Sequence, residues 1–122
     1  MLVRAFAVLA VLLASATASF AHSWYSDKTD PAYKTPCCGE KDCSMWAIRP
    51  GELTAEAAGL RVRLTLERAR EINPVTIHPV DALVIWDRVQ PSEDGNWHLC
   101  IMDTYRLDDR GGIYCLFAPP NG

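Results

Sequence analysis

The chain has 122 residues and a formal charge of −3, with 22% charged and 49% apolar residues. That length suits a single domain. The acidic balance speaks against a nucleic-acid binder, whose footprint is basic, and leaves small molecules, metals and protein partners open.

The N-terminal segment has the layout of an export signal. Arg4 and the amino terminus give a positive start, and Ala5 to Ala18 is an uncharged, mostly apolar run of 14 residues. Ser19-Phe20-Ala21 sets small residues at −3 and −1 of a cut. The run is short of the roughly 20 residues that cross a bilayer. Residues 1–21 are therefore expected to be a signal peptide, leaving a periplasmic or secreted chain that begins at His22 and has no membrane span. Loss of Arg4 takes the formal charge from −3 to −4. Export favours disulfide bonds over free thiols.

Residues 22–36, "HSWYSDKTDPAYKTP", read as an irregular arm, with Trp24, Tyr25 and Tyr33 laid against the body. Residues 37–122 read as a small β-rich domain. Met45 to Ile48 is a first strand candidate, ended by Pro50-Gly51. Leu53 to Gly59 fits either one helical turn stopped by Gly59 or a wide hairpin connection. Leu60, Val62, Leu64 and Leu66 alternate with Arg61, Arg63 and Thr65, which predicts a half-buried strand with the arginines in water. "TLERAREINP" predicts a short helix with Thr65 as N-cap and Asn73-Pro74 as stop. Val75 to Val80 and Leu83 to Trp86 are further strand candidates. Glu93 to Asn96 and Asp108 to Gly112 are turns, with strands at Trp97 to Met102 and Ile113 to Ala118. The fold class expected is mostly β with one short helix, a small α+β domain stapled by disulfides around antiparallel hairpins.

The five cysteines are Cys37, Cys38, Cys43, Cys100 and Cys115. The stretch "PCCGEKDC" lacks the Cys-x2-Cys of zinc sites and of thiol oxidoreductases, so staples are the expected role. If Cys100 and Cys115 face each other, His98 pairs with Phe117 and Met102 with Ile113. A cross-strand disulfide and two bonds reaching back to the 37–43 cluster both fit. Two bonds among five cysteines allow fifteen arrangements, because any one can be left over and four pair in three ways. The odd cysteine leaves a free thiol, a disulfide-linked dimer or a metal ligand open, and it is what a thiol-dependent enzyme would use.

His22 is the second feature with chemistry. As a mature N-terminus it would offer an α-amine and a ring nitrogen to one metal, and nitrogen-rich square sites suit Cu(II). Such a "histidine brace" needs another histidine, and His78 and His98 are the candidates. Arg61, Arg63, Arg68 and Arg70 read as a solvated face rather than an anion-binding patch. Trp24, Trp46, Trp86 and Trp97 read as core rather than as a sugar or aromatic site. Nucleophile-elbow, phosphate-loop and dinucleotide motifs are absent. No catalytic residue and no cofactor are therefore assigned, copper being the alternative.

Taken together, His22-Ser23-Trp24-Tyr25, Cys37-Cys38 with Asp42-Cys43, the run Asp94 to Ile101 and the ending Cys115 to Pro120 resemble a group of small exported proteins of Gram-negative bacteria. The resemblance spans most of the chain after residue 21. It implies an exported single domain and brings no activity, substrate or cofactor. The functional expectation is a binding or structural module of the cell envelope, its partner an envelope protein or a small ligand. Copper binding through His22 is the alternative, and a thiol-dependent enzyme the second alternative.

Overall fold

The computed structural model describes residues 24–37, 43–102 and 110–120. The signal-peptide reading of residues 1–21, together with His22, Cys38 and the Asp108-Asp109 part of the last turn, lies outside the described residues. Among these residues the chain forms seven strands in two sheets, one α-helix and two disulfides. It is a mostly β domain with one short helix.

The three-stranded sheet grows from the alternating run. Strand β2 is Leu53–Glu56, β3 is Gly59–Leu64 and β4 is Val80–Ile85, in the antiparallel order β2-β3-β4. Leu60, Val62 and Leu64 are buried on one face, and Val80, Ala82 and Val84 of β4 join them. Leu66 departs from the expected strand and opens helix α1, Leu66–Ile72. The Thr65 hydroxyl accepts the Arg68 backbone N–H at 3.2 Å, as an N-cap does. Asn73 closes the helix, and its side-chain amide donates to the Ile101 carbonyl at 2.8 Å, tying helix to sheet.

The four-stranded sheet has the order β1-β6-β7-β5, with β1 Cys43–Met45, β5 Val89–Pro91, β6 His98–Ile101 and β7 Ile113–Ala118. Strand β5 runs parallel to β7; the other pairings are antiparallel. Leu99, Ile101, Ile113 and Leu116 face the shared core with Trp46, Ala69 and Ile72. His98, Cys100, Cys115 and Phe117 are buried on the opposite face, beneath the arm.

Several local expectations are corrected. Leu53–Glu56 is a strand, joined to β3 by a tight turn in which Glu56 pairs with Gly59, so Gly59 stops no helix. The first strand sits at Cys43–Met45 rather than Met45 to Ile48. Residues 75–79 form a connection, with the strand beginning only at Val80. Cys100 sits opposite Cys115, and His98 therefore pairs with Phe117, the register that such facing requires. A bulge then leaves Tyr114 unpaired and sets Ile101, not Met102, opposite Ile113.

The arm is fastened at several points. Asp30 is fully buried, accepts the Ala32 and Tyr33 backbone N–H groups, and pairs with buried Arg88 at 2.7 Å. Arg88 also donates to the Ile113 carbonyl at 2.7 Å. The Tyr33 ring lies within 4.9 Å of the Arg88 guanidinium and 4.6 Å of that of Arg110. Thr29 bridges Pro36, and Cys37 joins Cys115.

Candidate functional sites

The cysteines resolve as staples. Cys37 is bonded to Cys115 and Cys43 to Cys100, each reaching from the cluster to a hairpin strand. The cross-strand Cys100–Cys115 alternative is overturned, although these residues do sit opposite each other. Cys43, Cys100 and Cys115 form a row across β1, β6 and β7, so both bonds lie on the arm side of the sheet. Every cysteine among the described residues is bridged within the chain. Cys38, the odd cysteine by elimination, lies outside them. Readings that need a free thiol, the disulfide-linked dimer included, therefore fall on Cys38.

The arginines form no common patch. Arg61 pairs with Glu56 and Asp81, and Arg63 with Asp81. Arg68 is mostly buried against Glu52 and Glu71, and Arg70 donates to the Thr76 carbonyl.

The tryptophans divide. Trp46 is core and its indole N–H donates to Glu52 at 2.9 Å. Trp24 packs edge-on against Tyr25, His98 and Phe117. Trp97 is half-buried and packs against the core beside Trp46, whereas Trp86, 48% exposed, contradicts the core expectation. With Leu53, Ala55, Leu60, Val89 and Ala118 they line a cleft of about 350 Å³. Its walls come from both sheets, from β2 and β3 on one side and β5 and β7 on the other. The Trp86 indole N–H is committed to the Ala57 carbonyl at 2.9 Å, which fixes the ring at the cleft. No charged side chain lines it. Sequence reasoning missed this cleft because its seven residues come from five separate stretches of chain.

The histidines also divide. His78 lies in the connection leading to β4, on the three-stranded sheet, and His98 on β6 of the other sheet. His98 is only 5% exposed. Its Nε2 lies 2.8 Å from both Asp94 carboxylate oxygens. Asp94 also accepts the Asn96 backbone N–H at 3.0 Å and the Ser92 hydroxyl at 2.8 Å. The Asn96 N–H, then His98 and Ser92, hold the Asp94 carboxyl far below the ordinary carboxylate range against the opposing effect of burial. With Nε2 turned to the Asp94 carboxylate, Nδ1 points away from the pair. Nδ1 is buried and has no hydrogen-bond partner among the described residues. Such an orphan costs about 1–3 kcal/mol. The described residues contain no cluster of three or more His, Cys, Asp or Glu side chains able to hold a metal.

Comparison of the chain with protein-family models, with curated proteins and with solved structures finds no match. The functional reading therefore rests on this geometry.

Proposed function

We propose that this protein is an exported binding module of the cell envelope, periplasmic or secreted, that takes one small uncharged apolar molecule in the cleft between its sheets. The observation that carries the reading is the cleft itself. It has a volume within the range of small-molecule sites, about 300–1,000 Å³. It is walled by two indoles and five aliphatic side chains, and a charged ligand would lose its hydration there without a partner. A large aromatic exposed beside an apolar groove is the kind of surface that marks a binding site.

The compartment is supported by the two intrachain disulfides, which persist in oxidising surroundings. The signal-like start and the resemblance to exported Gram-negative proteins point the same way. No helix among the described residues is long and apolar enough to cross a membrane.

Titration with an uncharged fluorescent naphthylamine tests the cleft. We expect saturable binding of one dye per chain, with quenching of tryptophan emission. Ala55→Arg puts a guanidinium at the rim from an exposed strand position and should weaken binding at least tenfold with an unchanged circular dichroism spectrum. Absence of saturable binding, or equal binding by the folded variant, would overturn the proposal.

A further inference from the structure

We infer that the ligand of the cleft is an extended apolar peptide segment of a partner protein, which joins the three-stranded sheet beside β2. The inference rests on the cleft reading above and names what carries the apolar groups. Two strands that line the cleft, β2 and β5, are each the outermost strand of their sheet. An outermost strand offers unpaired backbone N–H and C=O groups, and an extended peptide satisfies them by adding one more strand.

The two edges differ in what they offer. The Glu52 carbonyl accepts the Arg63 backbone N–H at 2.8 Å, and Leu53 is the register partner of Val62. Bonding residues alternate along an antiparallel pair. Thr54 and Glu56 therefore turn their backbone groups to β3, while Leu53 and Ala55 turn theirs to the open side. Thr54, Ala55 and Glu56 are exposed, and β2 has no proline or lysine to blunt it. On β5 the Ser92 backbone N–H donates to the Ala118 carbonyl at 2.8 Å, which sets Gln90 towards β7 as well and Val89 and Pro91 outward. The Val89 N–H is taken by the Trp86 carbonyl, and Pro91 has none. Of the two edges, β2 is the one open to a new strand.

The side chains of that strand follow from the register. Leu53 and Ala55 stand beside Val62 and Leu60, which are buried on the core face, and both line the cleft. On an added strand, the residues opposite Leu53 and Ala55 project on that same face, towards the cleft. The residue between them lies beside Thr54 on the solvent face. The segment is therefore apolar at two alternate positions and unrestricted between them. Charge is excluded at the two apolar positions, because no charged side chain lines the cleft. Antiparallel pairing continues the order of the sheet that the segment joins.

The test uses the whole protein with its disulfides intact and a capped peptide, acetyl-Thr-Val-Thr-Val-Thr-amide. One peptide should bind per chain, and the Leu53 and Ala55 amides should exchange at least tenfold more slowly in the complex. Methylating both valine nitrogens removes the donors that face β2 and should weaken binding tenfold or more. Methylating the central threonine nitrogen, which faces away from β2, should leave binding unchanged. Dye binding without peptide binding, or equal binding of the valine-methylated peptide, overturns the inference and leaves the cleft reading standing. Failure of dye and peptide alike overturns both. A dimer in solution whose Leu53 and Ala55 amides are protected without peptide would assign the edge to a second copy of this chain, and it overturns the inference as well.

Discussion

Glu52 shows how one side chain can organise a neighbourhood. It is 8% exposed and collects the Trp46 indole N–H, the Arg49 backbone N–H and the Arg68 guanidinium on its two oxygens. Burial alone would raise its pKa. The bonds from Arg68, Arg49 and Trp46 more than offset that, and the carboxyl titrates below its ordinary 4.5. A depressed folded-state pKa stabilises the protein above the unfolded value, and that stability is lost as pH falls through 4.5 towards the folded one. Glu52→Gln should therefore lower stability at pH 7 by about 1–3 kcal/mol. It should also lose less on acidification than wild type. Urea midpoints across the acid range check this, and parallel curves for the two proteins would refute it. None of this was legible beforehand, because Trp46 follows β1, Glu52 precedes β2 and Arg68 lies in the helix, and no local pattern joins them.

Secondary-structure elements were legible in proportion to their local signals. The helix announced itself through Thr65, its Glu- and Arg-rich middle and Asn73-Pro74. Strand β3 did so through strict alternation, and β7 through a β-branched and aromatic run between glycines and prolines. Strand β5 was missed because three residues ending in Pro91 carry no period, and its parallel partner β7 is 27 positions away at Val89–Leu116. Strand β2 was misjudged because Gly59 reads as a stop signal in sequence. Its actual reason is close approach. A Cβ there would lie 2.1 Å from the Val84 carbonyl oxygen and 2.7 Å from the Ile85 Cα, both backbone atoms of β4. Side-chain rearrangement cannot relieve that contact. Gly59→Ala should cost about 2–3 kcal/mol, a fall in Tm of roughly 10 °C or more. An unchanged melting curve would mean that β3 and β4 pair less closely than described.

At the scale of the whole molecule, the disulfides and the arm act as one device. The bonds close sequence separations of 78 and 57 residues. Loops of that size restrict the unfolded chain strongly, and each bond is worth about 4 kcal/mol on the chain-entropy account. They also hold the arm over a sheet face that would otherwise expose His98, Cys100, Cys115 and Phe117. Replacing Cys37 and Cys115 together by alanine should cost about 2–5 kcal/mol. Amide exchange should quicken in residues 28–37, while dye binding in the cleft, which no arm residue lines, persists. Equal exchange across the arm would show that the Asp30–Arg88 pair and the aromatic contacts hold it unaided.

The sequence by itself determined the features set by neighbouring residues. These are the β-rich class, the capped helix and the role of the cysteines as staples. Each follows from periodicity, turn chemistry or composition, which act over a few positions. Tertiary structure alone decided which cysteines pair, that Trp86 lines a cleft instead of filling the core, and that His98 Nδ1 is buried without a partner among the described residues. Those outcomes depend on which strands become neighbours and on what covers the far face of a sheet. Packing between distant segments decides both, and no local pattern in the chain encodes it.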